Sequence, residues 1–143
     1  MADTIFTKII SGEIPSHRVY EDELVYAFLD IGPLSTGHTL VVPKEAVATI
    51  DQLSDESAAA IGRVLPRISR AVLEATAAGA FNILQNNGAE AHQEVPHVHF
   101  HIIPRFKDRA EGEAGLGVIW NSGGFDHGEG AKLAERIAAL IGS

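Results

Sequence analysis

Three histidines in alternation, His97, His99 and His101, are the residues whose types and spacing could do chemistry in this chain. They stand in His97-Val98-His99-Phe100-His101-Ile102-Ile103, where polar and apolar residues alternate. A strand sends successive side chains to opposite faces. Val98, Phe100 and Ile102 are thus predicted to enter a core, while the histidines share the other face. Two residues of rise set the imidazoles about 6.6 Å apart. A lone histidine on a strand is most often structural, but three of the chain's seven at this spacing are more than a solvated face needs.

Two chemistries fit that row. A His-x-His pair on a strand can offer two imidazoles to zinc or a related ion, with His38, Asp30 or Glu94 completing the ligand set. Alternatively, a neutral imidazole attacks phosphorus and forms a covalent phosphoramidate that water cleaves. The attacking nitrogen then needs its lone pair, so the proton must be held on the other ring nitrogen. Neighbouring imidazoles and backbone N–H groups would stabilise the phosphoryl oxygens. The spacing alone does not choose.

The elements that must position these residues read as α+β. Asp3 or Thr4 caps a short helix from Thr4 to Ser11, with Ile5, Phe6, Ile9 and Ile10 at helical spacing and Gly12 ending it. HRVYED and LVYAFLD form a hairpin, IGPLSTG is a loop, and HTLVVP is a strand stopped by Pro43. A long helix starts at the N-cap Ser54 and carries an apolar stripe of Ile61, Leu65, Ile68 and Val72. Pro66 should bend it, and Gly79 closes it. AFNILQN and HVHFHII are two further strands around the polar loop NGAEAHQEVP. A Gly-rich stretch from Gly112 to Gly130 precedes a last helix with Leu133, Ile137 and Ile141. The order predicts an antiparallel five-stranded sheet with two main helices.

The whole chain bounds the reading. Its 143 residues fit a single domain, with the motif-bearing part at about 4–105 and a C-terminal Gly-rich segment plus helix. No cysteine is present, which removes disulfides and thiolate metal sites. Eleven basic against 19 acidic residues give a net charge of −8, which opposes binding to nucleic acid or anionic membranes. No apolar run approaches the roughly 20 residues of a membrane span, and the N-terminus lacks a secretory pattern. A cytoplasmic location is expected.

The histidine heptad resembles the signature of the histidine triad (HIT) family of nucleotide hydrolases and transferases. The likeness extends to Thr4–Ile10, Gly12–Pro15, Tyr20–Asp22, Ala27–Ile31 and Gly37–Lys44, and to Asn86, Gly88 and Gln93. The nucleoside phosphoramidase branch, with its bacterial relatives, is the most similar. The resemblance implies that His99 is the nucleophile, that His97 and His101 hold a hydrogen-bond relay and contact phosphate, and that His38 supports them. It assigns Asp30 to the ribose hydroxyls, Ile5, Phe6, Ile9, Phe28 and Ile31 to a purine pocket, and Asn86 with Gln93, Glu94 and Val95 to the phosphate. It also implies a homodimer meeting at a sheet edge, with Trp120 and the tail as candidates to cover an edge or reach the partner's site.

Each residue has a plainer role beside that one. Ile5, Phe6, Ile9 and Phe28 are core residues on periodicity alone. Asp30 could cap a turn, and Asn87-Gly88 is a turn signal by itself. His17 and His127 read as surface residues.

Two departures stand out. Where many bacterial relatives bind structural zinc, this chain has Thr4, Thr7 and Ala46, so no metal and no cofactor is expected. Where relatives often carry Ser or Thr near the leaving group, it has Glu94, beside His92, and Pro96 stiffens the approach to His97. The expected activity is purine nucleoside 5′-phosphoramidate hydrolysis through a nucleotidyl-histidine. The alternatives are dinucleoside polyphosphate hydrolysis, a nucleotide-binding protein with little catalysis, and a metal-dependent enzyme using the histidine row as ligands.

Overall fold

A computed structural model describes residues 3–108 and 115–142. The chain runs α1 (Ile5–Ile10), β1 (Arg18–Glu21), β2 (Val25–Leu29), β3 (Thr39–Pro43), α2 (Asp55–Thr76), β4 (Ala80–Gln85), β5 (Phe100–Arg105) and α3 (His127–Ile141). The strands form one antiparallel sheet in the order β1-β2-β3-β5-β4. The α+β sheet expected from the sequence is therefore the one found.

Both sheet faces carry apolar residues, and the alternation along each strand sorts them. Val25, Ala27, Val41 and Ile102 turn to α2, which meets them with Ala60, Ile61, Val64, Ile68 and Val72. Tyr26, Phe28, Leu40 and Val42 turn to the other face, where α1 contributes Phe6 and Ile9. Phe28 pairs with Leu40 and Leu40 with His101, so the histidine shares the α1 face.

Helix α1 is only six residues long and depends on its cap. Thr4 accepts from the backbone N–H of Phe6 and Thr7, while the Thr7 hydroxyl accepts from the Thr4 N–H at 2.9 Å. This reciprocal capping box satisfies N–H groups that the first turn leaves without partners. Thr4 and Thr7, notable in the sequence for not being metal ligands, thus hold Phe6 against the histidines.

Two sequence expectations are corrected, the end of the long helix and the start of the histidine strand. Helix α2 ends at Thr76, with Ala77 in the left-handed conformation (φ 59°), two residues before Gly79. Gly37 approaches this end so closely that a Cβ there would lie 2.6 Å from the Thr76 side chain, and the same glycine leads into His38. Pro66 does not interrupt α2. It lies on the exposed face with Gly62, whose carbonyl it leaves without an N–H partner, so water can serve that group.

The histidine strand starts late: β5 begins at Phe100, so His97, Val98 and His99 precede it. Their backbone groups are used elsewhere. His97 N–H donates to Val95 O, Val98 N–H donates to Val47 O, and the His97 carbonyl accepts from the His99 ring. The partner registers of β3 and β4 stop at Phe100. Of the Gly-rich stretch, residues 112–114 lie outside the described residues, and residues 115–126 form neither helix nor strand.

Candidate active site

The face that the alternation assigns to the histidines is covered in the fold, and His101 is half-buried there. His97, His99 and His38 are 1%, 5% and 3% exposed. His99 stands between Phe6 and His101, each with its ring centroid 4.9 Å away. That is closer than the backbone repeat of about 6.6 Å, because the rings tilt toward one another off the irregular segment before β5.

Backbone groups fix the proton on each ring. His99 Nδ1 lies 2.7 Å from the His97 carbonyl, which can only accept, so Nδ1 carries the hydrogen and Nε2 keeps its lone pair. His38 Nδ1 accepts from the Leu34 N–H at 3.0 Å, so the His38 proton sits on Nε2. That nitrogen is 2.9 Å from His101 Nδ1 and donates to it, which leaves His101 with an N–H at Nε2. His97 Nε2 donates to the Pro43 carbonyl at 2.7 Å, and its Nδ1 is a buried acceptor with no partner. The row therefore has two free lone pairs, one on the buried Nδ1 of His97 and one on Nε2 of His99, and one fixed donor, at His101.

Burial is the leading reason that all four imidazoles are harder to protonate than free histidine. His101, with His99 and His38 also against it, is pushed down to about 4. For His99 the His97 carbonyl, Asp30 and Glu94 act in the opposite direction without overcoming burial. Neutral rings near pH 7 are what a nucleophilic imidazole requires.

Asp30 serves two local partners. One carboxylate oxygen accepts from Gly32 N–H at 2.8 Å, and the other lies 3.6 Å from His38 Nε2. The Asx turn read as the plainer alternative therefore exists alongside the approach to the histidines. Asp30, His38 and His101 also bring ligand-type atoms within 4.8 Å of one another. An ion there would need the lone pair of His38 Nε2. That nitrogen carries the proton as long as Leu34 occupies Nδ1, so coordination would have to displace a backbone hydrogen bond.

The apolar candidates separate. Phe6, Ile9 and Phe28 are buried together beside His97 and His99, whereas Ile5 is about half exposed and Ile31 is 88% exposed. Ile31 lies beyond the end of β2. In the loop before β5, the Gln93 side chain accepts from Gly88 N–H at 2.7 Å and donates to the Ala48 carbonyl at 2.6 Å. It ties two loops together. Asn86 makes one long contact, 3.5 Å, to the His92 carbonyl. Val95 packs on the Phe6 cluster, and Glu94 is exposed. His17, His92 and His127 lie at the surface.

Sequence reasoning missed Leu34 and Pro43, which act through their backbone N–H and C=O. No side-chain pattern could signal them, and Pro43 was legible only as a strand stop. A separate open cleft of about 750 Å³, lined by residues 18–23 and Lys44, holds no histidine. There Glu21 is paired to both Arg18 and Lys44 at 2.7 Å, which marks a solvated edge.

A profile of the HIT domain matches residues 11–108, and these include every histidine of the buried row. The chain belongs to the HIT family. It is 45% identical to adenosine 5′-monophosphoramidase hnt1 of Schizosaccharomyces pombe, over 96% of this chain and 97% of that one. It is 44% identical to Protein hit of Bacillus subtilis over 94% of each chain. A crystal structure of a HIT family member from Bacillus subtilis has a TM-score of 0.91 at 38% identity and covers 99% of both chains. A histidine triad nucleotide-binding protein from Candida albicans has a TM-score of 0.84 at 37% identity. The HIT resemblance drawn from the histidine heptad and its flanking segments is thus the correct family.

Proposed function

We propose that this HIT protein hydrolyses purine nucleoside 5′-phosphoramidates at the α-phosphorus through a nucleotidyl intermediate on His99. The observation that carries this reading is the hydrogen bond from His99 Nδ1 to the His97 carbonyl, which leaves a buried neutral ring with its Nε2 lone pair free. In the first step Nε2 attacks phosphorus while the P–N bond to the amine breaks. The amine departs with the bonding pair and takes a proton from solvent. The His101 Nε2–H binds a phosphoryl oxygen as charge builds there, and His38 holds that donor in place. Water then adds hydroxyl to phosphorus, the P–Nε2 bond breaks with its pair returning to a neutral ring, and the water's other proton passes to solvent, replacing the one the amine took. Support from relatives lies in three fungal proteins, 41–45% identical, that are named adenosine 5′-monophosphoramidases.

In the same reading Asp30 takes the ribose hydroxyls, and Phe6, Ile9 and Phe28 wall the purine with Ile5 and Ile31 at its mouth. His97 works through its carbonyl. Asn86 and the backbone of Gln93–Val95 hold phosphate, the Gln93 side chain being committed to loop anchoring. Release of AMP from adenosine 5′-phosphoramidate, followed by phosphorus NMR, tests the activity. Faster turnover of a diadenosine polyphosphate would instead favour the anhydride reaction.

The assembly in this reading is a homodimer of single-domain chains in the cytoplasm, taking a nucleotide as its only partner besides itself. Two surfaces support self-association. Edge strand β4 exposes Phe81 and Ile83, α3 leaves Leu133, Ile137, Leu140 and Ile141 uncovered, and Trp120 is also exposed. A helix this apolar on one side is rarely left in water. No helix among the described residues is long and apolar enough to cross a membrane.

A further inference from the structure

The loop between β2 and β3, residues 31–37, carries no charged residue, yet its backbone sets one end of the imidazole relay. Leu34 N–H donates to His38 Nδ1 at 3.0 Å, and His38 Nε2 in turn donates to His101 Nδ1 at 2.9 Å. The donor that His101 presents therefore depends on where Leu34 stands.

Two kinds of contact hold this loop. Some are local. Asp30 N–H donates to the His38 carbonyl at 2.9 Å, His38 N–H to the Ser35 carbonyl at 3.1 Å, and the Thr39 hydroxyl to the Gly37 carbonyl at 2.8 Å. These bonds fix the shape of the loop but not its place against β5. That place comes from Ser35, whose half-buried hydroxyl donates to the Pro104 carbonyl at 2.7 Å, across 69 residues of sequence. Among the described residues, no other hydrogen bond from 31–37 reaches beyond residues 30–39. The β3–β5 ladder ends at Thr39 and Ile102, and Pro104 lies two residues further along β5. The Ser35 side chain thus extends the link between these strands past their last backbone pair. Gly37 permits the approach. At φ 89° it has no room for a Cβ, which would lie 2.6 Å from the Thr76 side chain and 3.4 Å from the Pro104 ring.

We infer that Ser35 is a positioning residue of the relay: its bond to the Pro104 carbonyl seats the loop so that the Leu34 N–H occupies His38 Nδ1, and His101 donates from Nε2 as a result. The bearing on turnover rests on the phosphoramidate reading above. Without the hydroxyl the loop can lift from β5 and take the Leu34 N–H off the ring. A His38 ring protonated at Nδ1 turns an Nε2 lone pair to His101, which must then carry its own proton at Nδ1. His101 Nε2 becomes an acceptor, unfit to bind a phosphoryl oxygen. Asp30, 3.6 Å from His38 Nε2, still favours a proton on that nitrogen, so the loss is partial. It amounts to about fivefold, the size of one ordinary hydrogen bond.

The test compares the natural protein with Ser35→Ala and with Ser35→Thr, which keeps a hydroxyl on the same carbon. Nitrogen NMR of protein labelled at histidine reads which ring nitrogen of His38 and of His101 is protonated, with no need of turnover. The natural protein and Ser35→Thr should show His38 protonated at Nε2, and Ser35→Ala should show a mixture with Nδ1. On adenosine 5′-phosphoramidate, kcat should fall about fivefold in Ser35→Ala with KM unchanged, and recover in Ser35→Thr. Rings that ignore Ser35→Ala overturn the inference, even where the melting temperature falls, and so does a loss of equal size in both variants. A His38 tautomer that shifts in Ser35→Ala, in a protein that cleaves no phosphoramidate, supports the inference and sinks the hydrolytic reading instead.

Discussion

The carbonyl oxygen of His97 accepts a 2.7 Å hydrogen bond from Nδ1 of His99, two residues further along the chain. A backbone carbonyl cannot donate, so this contact sets the tautomer of the ring without help from a carboxylate. Replacing His99 by Ala or Gly removes the proposed nucleophile and leaves the carbonyl in place. Turnover should fall by roughly three orders of magnitude or more, with AMP binding still measurable by calorimetry. Full activity in either variant sinks the covalent mechanism.

Buried neutral histidines make stability depend on pH in a definite direction. The unfolded chain protonates these rings near their ordinary value of 6.5, whereas the folded protein resists, His101 down to about 4. The unfolded state thus binds more protons below that ordinary value. Stability is fully present above it and declines as pH falls toward 4. Melting temperatures measured from pH 8 to pH 4 should drop across this window, and His101→Gln should flatten part of the slope. A profile level through the window contradicts the burial argument.

Asp30 divides its oxygens between Gly32 N–H and the open side near His38. Asn at this position keeps an acceptor for Gly32 but loses the charge and half of the acceptor capacity. We expect Asp30→Asn to raise KM for an adenosine phosphoramidate about tenfold while sparing the 2′-deoxy substrate. Equal losses on the ribo and deoxyribo compounds would remove Asp30 from ribose recognition.

The capping box on α1 links stability to the site, because the helix it starts carries Phe6 onto the His99 ring. Thr4→Ala leaves first-turn N–H groups without their acceptor. The expected cost is about 1 kcal/mol, or about 3 °C in melting temperature. Activity should decline at temperatures where the global fold is still intact, as circular dichroism would show.

The uncovered stripe of α3 gives a direct check on assembly. Charging it with Leu133→Glu and Ile137→Glu together should convert a dimer into a monomer in sedimentation velocity. A species of unchanged mass would place the contact elsewhere, with the edge of β4 as the next site to alter.

The sequence by itself determined the family, the strand and helix order, and the presence of the histidine cluster. Its periodicities are local and strong: Ile61, Ile68 and Val72 mark the buried face of α2, and Val98 and Ile102 are fully buried as their alternation required. It misjudged the end of α2, because the left-handed residue fell on Ala77 under the close approach of Gly37, a contact made by distant segments. It also read His97–His99 as regular strand. That strand is broken because the backbone there bonds to Val47 and Val95 and to a histidine ring.

What only the tertiary structure decided is which nitrogen holds a lone pair. Spacing left nucleophile and metal ligand level. The choice depends on the Leu34 N–H at His38, the Pro43 carbonyl at His97, and the His97 carbonyl at His99. Every residue carries those same backbone groups, so no residue type announces them. Only folding assigns each one a partner.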